Sequence, residues 1–179
     1  MDFTYKTERL ILKIEQPEAA PLILDFYKRN EDFFGRFEPE HSDTFYNIDY
    51  LANIMRYEVK EAMKLLGLRY YLYEQSSGNM VGTVHFSNIR TLPYFSCETG
   101  YKLDKRAQHQ GYAYEALSFL INAINKDLNI HRYEAFVMPD NIPSLRLLER
   151  LGFEQEGYIK DYVYMHDKWQ DHLLYSKLI

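Results

Sequence analysis

Hydrophobic residues recur along this chain with two different periods, and the switches between them mark its elements. Arg9 to Ile14, rich in leucine and isoleucine, reads as a first strand. Glu18 to Asn30 reads as a helix, with Pro17 near its start and Leu22, Phe26 and Tyr27 on an apolar face. Phe33 to Asn47 carries scattered aromatics without a period and reads as a loop, followed by a helix from Ile48 to Leu66. Leu51, Met55, Val59 and Met63, four residues apart, mark the inward face of that helix.

The period then shortens. Leu68 to Glu74 and Met80 to Ile89 are strands around the turn Ser76-Ser77-Gly78-Asn79, a hairpin signal. Ser96 to Leu103 is a further strand, with Cys97, Thr99, Tyr101 and Leu103 sharing one face. After the loop Asp104 to Gln110 comes an amphipathic helix carrying Ala113, Ala116, Leu117, Leu120, Ile121 and Ile124. Arg132 to Met138 is a strand. Asn141 then caps a short helix with Pro143 in its first turn and Leu145, Leu148 and Leu151 behind, stopped by Gly152. Gln155 to His166 and Trp169 to Lys177 close the chain as a hairpin around Asp167-Lys168. The expected fold is α/β: a mixed, mostly antiparallel sheet flanked by helices on both faces. No repeat or linker divides residues 1–179, so one domain is expected.

Composition narrows the functions. The net charge is −5, with no basic run that could follow a phosphate backbone, so a nucleic-acid partner is not expected. A mild acidic excess suits a cationic acceptor such as an amine. Cys97 is the only cysteine, so no intrachain disulfide forms and a reducing, cytoplasmic setting is expected. The amino terminus lacks the pattern of a signal peptide. No apolar run approaches the roughly 18 residues of a membrane helix, so no membrane partner is expected. The 17 tyrosines suit strands and core edges, where an apolar ring with a polar tip fits.

Leu103-Asp104-Lys105-Arg106-Ala107-Gln108-His109-Gln110-Gly111-Tyr112-Ala113 is a strand end, a loop and the first turn of a helix. Such a turn presents unpaired backbone N–H groups and the positive end of the helix dipole, which suits a phosphate. Gly111 would let an anion approach the backbone, and Ala113 keeps the next turn open. The same glycine could equally serve only to turn the loop into the helix. No Gly-Lys-Ser/Thr follows, and a single glycine is not a dinucleotide fingerprint.

Gln108-x-x-Gly111-x-Ala113 resembles the Gln/Arg-x-x-Gly-x-Gly/Ala signature of the GNAT acetyltransferases. Glu98-Thr99-Gly100-Tyr101-Lys102-Leu103 precedes it as the family's strand does. Asn141-x-x-Ser144 with Leu148-Glu149-Arg150-Leu151-Gly152-Phe153 is similar to the family's second cassette. Thr7-Glu8-Arg9-Leu10-Ile11-Leu12 resembles the start of the RimJ/RimL-like branch, named for N-terminal acetylation of ribosomal proteins. The likeness spans essentially the whole chain.

This resemblance implies an acetyl-CoA-dependent N-acetyltransferase. Backbone groups of Tyr101 and Leu103 would pair with the pantetheine arm as an added strand does. Amides of Gln108, His109, Gln110, Gly111, Tyr112 and Ala113 would hold the pyrophosphate, and the Asn141 side chain would bond to the pantetheine. Asn141 could as well be only a helix cap, and His109 only a solvated loop residue. An acceptor amine with a pKa of about 8 to 10 must lose a proton before it attacks the thioester. Glu98 is the candidate base, with a solvated strand charge as its plain alternative. Ser144 resembles the branch's proposed acid, with Tyr158, Tyr162 or Tyr164 as substitutes. Many superfamily members carry a tyrosine acid where this chain has Leu148.

Cys97 on an alternating strand reads as a structural cysteine rather than a nucleophile. The six histidines, His41, His85, His109, His131, His166 and His172, show no metal-ligand spacing, so no metal is expected. The expected acceptor is the α-amine of a protein terminus, which needs an open slot. A small amine such as a polyamine, an aminoglycoside or an amino-acid-like metabolite would favour a closed pocket. A non-catalytic acetyl-CoA-binding module is the reading from another class. Similar proteins are commonly dimers, so a homodimer is expected.

Overall fold

The strand Leu68–Glu74 (β3) shows how the sheet divides the core. Its alternation sends Leu68, Tyr70 and Leu72 into one apolar cluster and Tyr71 and Tyr73 into another. The computed structural model describes residues 1–179. Ahead of β3 lie β1 (Thr4–Lys6) and β2 (Leu10–Lys13). After it come β4 (Met80–Arg90), β5 (Ser96–Leu103), β6 (Arg132–Val137), β7 (Glu154–Met165) and β8 (Lys168–Leu178). They form one eight-stranded sheet in the order β1-β2-β3-β4-β5-β6-β8-β7. Every adjacent pair is antiparallel except β5 with β6.

Four α-helices cover the two faces. The helices Ala20–Phe34 (α1) and Ile48–Met63 (α2) bury Ile23, Phe26, Tyr27, Leu51 and Met55 with Tyr71 and Tyr73. On the other face, Tyr112–Leu128 (α3) and Ile142–Arg150 (α4) pack Ala116, Leu117, Leu120, Ile124 and Leu148 on β2 to β6 and β8. Local chemistry fixes the helix ends. Asn47 Oδ1 accepts the N–H groups of Asp49 and Tyr50 at 2.8 and 3.1 Å at the start of α2. Asn129, in the left-handed region at φ 50°, ends α3.

The architecture agrees with the sequence reading, with local corrections. Thr4–Lys6 forms an edge strand that the sequence pattern did not single out. The first helix begins at Ala20, after a 3₁₀ turn at Pro17–Ala19, and runs on to Phe34. Part of the expected loop is therefore helix, and Asp43–Tyr46 is a 3₁₀ turn. Leu22, expected on the apolar face, is 45% exposed, because Ile23 and Leu24 turn inward instead. The second helix stops at Met63, which is 73% exposed rather than inward, because Ala62 turns inward instead. The final hairpin turns at His166-Asp167, both at positive φ, one residue earlier than expected.

Candidate active site

The parallel seam of the sheet is short. β5 and β6 are in register only from Ser96 to Glu98 against Arg132 to Glu134. Beyond Glu98, β5 stays on β4 as far as Leu103, while β6 stays on β8 as far as Val137. The two strands part like the arms of a V. Because the Asp104 N–H turns to Val81 O at 2.9 Å, strand alternation turns the backbone groups of Thr99, Tyr101 and Leu103 the other way, toward the opening. Apart from the Leu103 carbonyl, which accepts from Gln108 Nε2 at 3.1 Å, no strand pairs with this edge in the middle of the sheet, and a ligand with amide groups can add itself there.

A pocket of about 640 Å³ fills the opening and passes through the sheet. Toward α3 and α4 it is lined by Thr99, Tyr101, Leu103, Leu117, Ser144 and Leu148. Toward α1 it is lined by Phe33, Phe34, Phe37, Glu38, His85 and Lys102. A ligand entering from one face can thus meet one entering from the other.

The turn beyond β5 is held from several sides. Asp104 is 3% exposed and accepts from Arg106 N at 2.9 Å and Arg29 Nε at 2.6 Å. Burial alone would raise its carboxyl pKa, but these hydrogen bonds, with Asn30 beside them, outweigh it and hold the group well below the usual carboxylate range. Gln108 turns its side chain inward, donating to Leu103 O at 3.1 Å. His109 and Gly111 both take positive φ, 60° and 81°, and Gly111 is the N-cap of α3. His109, Gln110 and Gly111 are exposed, whereas Tyr112 and Ala113 are buried. The Tyr112 hydroxyl donates to Glu74, so only its backbone faces the turn. Arg9 Nη1 donates to Gln110 O at 2.8 Å, and its guanidinium lies 4.8 Å from the centre of the Tyr112 ring.

The expected site residues therefore divide. Tyr101, Leu103, Gln108, Asn141 and Ser144 line the pocket, while His109 to Ala113 form the adjoining helix start outside it. Asn141 Oδ1 caps α4 by accepting Ser144 N–H at 3.3 Å. The Tyr101 hydroxyl lies 3.1 Å from Ser144 Oγ, a side-chain pairing that the sequence reading, which used only Tyr101 backbone, missed. Burial raises the Tyr101 pKa, and the Ser144 contact opposes that. Glu98 sits at the apex of the V, the last β5 residue in register with β6, and accepts from Asn88 Nδ2 at 2.8 Å. It shares a face with Gly100 and Lys102, the face toward α1, and does not itself line the pocket.

Tyr158, Tyr162 and Tyr164 lie on the outer strand β7, and none lines the pocket. Tyr162 comes nearest, stacked 4.9 Å from Phe136. Cys97 is buried in the core, and burial, with Glu134 and Glu98 nearby, pushes its thiol up to about 12, so it is no nucleophile. No group of three or more His, Cys, Asp or Glu side chains is arranged to hold a metal.

The pattern of an Acetyltransferase (GNAT) domain matches residues 9–154. The chain belongs to the GNAT acetyltransferase family. It is 32% identical, over 94% of its length and 87% of the relative's, to the [ribosomal protein uS5]-alanine N-acetyltransferase of Escherichia coli K12. The ribosomal-protein-S5-alanine acetyltransferase of Vibrio fischeri superposes with a TM-score of 0.93 at 28% identity, covering 99% of this chain and 97% of that one. Mycobacterium smegmatis RimJ, solved with a coenzyme A disulfide, shares the fold at a TM-score of 0.88 and 23% identity, over 94% of this chain and 81% of that one. This acetyltransferase is acetyl-CoA-dependent, and its site fits that cosubstrate. The free β5 edge offers amide partners, and the glycine-started α3 offers N–H donors for an anion. No helix of the acetyltransferase is long and apolar enough to cross a membrane.

Proposed function

We propose that this acetyltransferase modifies the N-terminal α-amine of a protein, with ribosomal proteins as the first class to examine. The observation that carries this reading is the open mouth on the α1 side. Asp32, Phe33, Arg36 and Asp140 line the pocket there and are all exposed, so a chain end can enter while the rest of its protein stays outside. The likeness to uS5-alanine N-acetyltransferases supports it.

In this reading Glu98 draws the proton from the incoming amine through water, since it stands at the apex of the V on the acceptor face. Ser144, backed by the Tyr101 hydroxyl, supplies a proton to the departing thiolate in place of the tyrosine that Leu148 replaces. Backbone groups of Tyr101 and Leu103 and the free amide NH₂ of Asn141 hold the pantetheine, and the amides from Gln108 to Ala113 hold the pyrophosphate. Residues 1–179 work as one domain in the cytoplasm, and a homodimer is the state that sedimentation should show.

The test is an acceptor panel, with short peptides beginning in alanine or serine beside spermidine and an aminoglycoside, read by mass spectrometry. Acetylation confined to the peptide α-amine is expected. Turnover of only the small amines would overturn the reading.

A further inference from the structure

Gly100 has a definite neighbour. A β-carbon at that position would come within 2.5 Å of His85 Cε1 and 2.9 Å of its Nε2. The missing side chain on β5 is what lets the imidazole of the adjacent strand, in register with Gly100, lie across it. His85 thereby reaches the pocket from the acceptor side, opposite Tyr101 and Ser144. No step described above uses it.

The two ring nitrogens are not equivalent. Nδ1 is sealed from solvent and has no hydrogen-bond partner, whereas Nε2 is not sealed and makes no bond within the protein. Burial, with the cations of Arg69 and Lys102 nearby, lowers the ring's pKa to about 3, so it is neutral and carries a single N–H. Placing that proton on Nδ1 would bury a donor with nothing to receive it, a rarer defect than a buried lone pair. Placing it on Nε2 turns the N–H toward the pocket.

We propose that His85 is a specificity-determining residue whose Nε2–H donates to a carbonyl oxygen next to the acceptor amine. The first residue of a peptide carries that oxygen, and a polyamine does not. The inference rests on the N-terminal reading and deepens it, because it states which atom beside the amine is recognised. A site built to bond such a group discriminates against a ligand that lacks it, since its own polar atom is then left unpaired.

Alaninamide and isopropylamine test this directly, since they share a carbon skeleton and differ by the amide. The ratio of their kcat/KM values is measured in the wild type, His85→Leu and His85→Gln, so that differences in amine basicity cancel between variants. His85→Leu is expected to lower the preference for alaninamide about tenfold. His85→Gln, which restores an N–H near the position of Nε2, is expected to recover most of it. The KM for acetyl-CoA stays unchanged, and His85→Leu melts no lower than the wild type because a sealed, unpaired nitrogen is gone. An active His85→Leu enzyme with the wild-type ratio overturns the inference and leaves the N-terminal reading standing. A wild type that acetylates spermidine but neither alaninamide nor an alanine-led peptide overturns both.

Discussion

Arg9 and Glu115 join the start of the chain to the first turn of α3. The Glu115 carboxylate takes Arg9 Nε at 2.7 Å, Arg9 N at 2.9 Å and Thr7 Oγ1 at 2.6 Å. A carboxylate in the first turn also suits the helix dipole. Arg9 in turn holds Gln110 O, so the turn proposed to receive the pyrophosphate is braced from the far end of the sequence.

Arg9→Ala should therefore weaken acetyl-CoA binding by about fivefold, with little change in kcat at saturation. Glu115→Gln should do the same more mildly, because it keeps an acceptor for the Arg9 amide. Isothermal titration with coenzyme A checks both, and an unchanged Kd in both variants would show that the brace does not shape the turn.

Gly111 holds φ 81°, and an added β-carbon would stand 3.4 Å from Arg9 Nη2. Gly111→Ala should cost about 1 kcal/mol of stability through left-handed strain. Gly111→Trp should in addition abolish coenzyme A binding while the domain still melts cooperatively. A thermal-unfolding titration separates the two effects, since ligand raises the midpoint only where it binds.

Tyr101 and Ser144 should act as one unit. Ser144→Ala and Tyr101→Phe are each expected to reduce kcat roughly 10- to 100-fold with smaller changes in KM. The double variant should be little worse than Ser144→Ala alone. Independent, multiplying losses would mean that the 3.1 Å contact is not part of the proton route.

Asp104 supplies a pH signature. Its folded-state pKa lies below its unfolded value, so it contributes stability that is fully present above the unfolded value and lost as pH falls through the folded one. At pH 7, Asp104→Asn should destabilise the protein by roughly 2 kcal/mol, because Arg29 loses a buried partner. Urea unfolding should show that difference narrowing as pH drops below about 4, the ordinary range of an aspartate. A constant difference down to acidic pH would rule out the linkage.

Most of the fold was legible, because the two-residue period of β6 and the three-and-four spacing of α3 are set by burial on one face. The turn ahead of α3 was legible because strand, glycine and helix start are contiguous in sequence. Element ends and exact helix faces were not: the four-residue spacing pointed to Met63, whereas the position that is buried lies one residue earlier, at Ala62. Contacts between distant segments were not legible either. Neither Arg9 with Glu115 nor the Tyr101 hydroxyl with Ser144 leaves a local pattern. His85 left a faint one, since Gly100 inside a strand signals that something lies close, although not what.

The three-residue seam between β5 and β6 gives the protein an unfinished interior. Strands that should be stitched together beyond Glu98 and Glu134 have no stitching of their own. A thioester carrier laid along the β5 edge, as proposed, would close that gap, so its arrival should slow hydrogen exchange at Tyr101 and Leu103 as well as fill a pocket. On this account the enzyme's resistance to unfolding and proteolysis rises and falls with the acetyl-CoA supply around it.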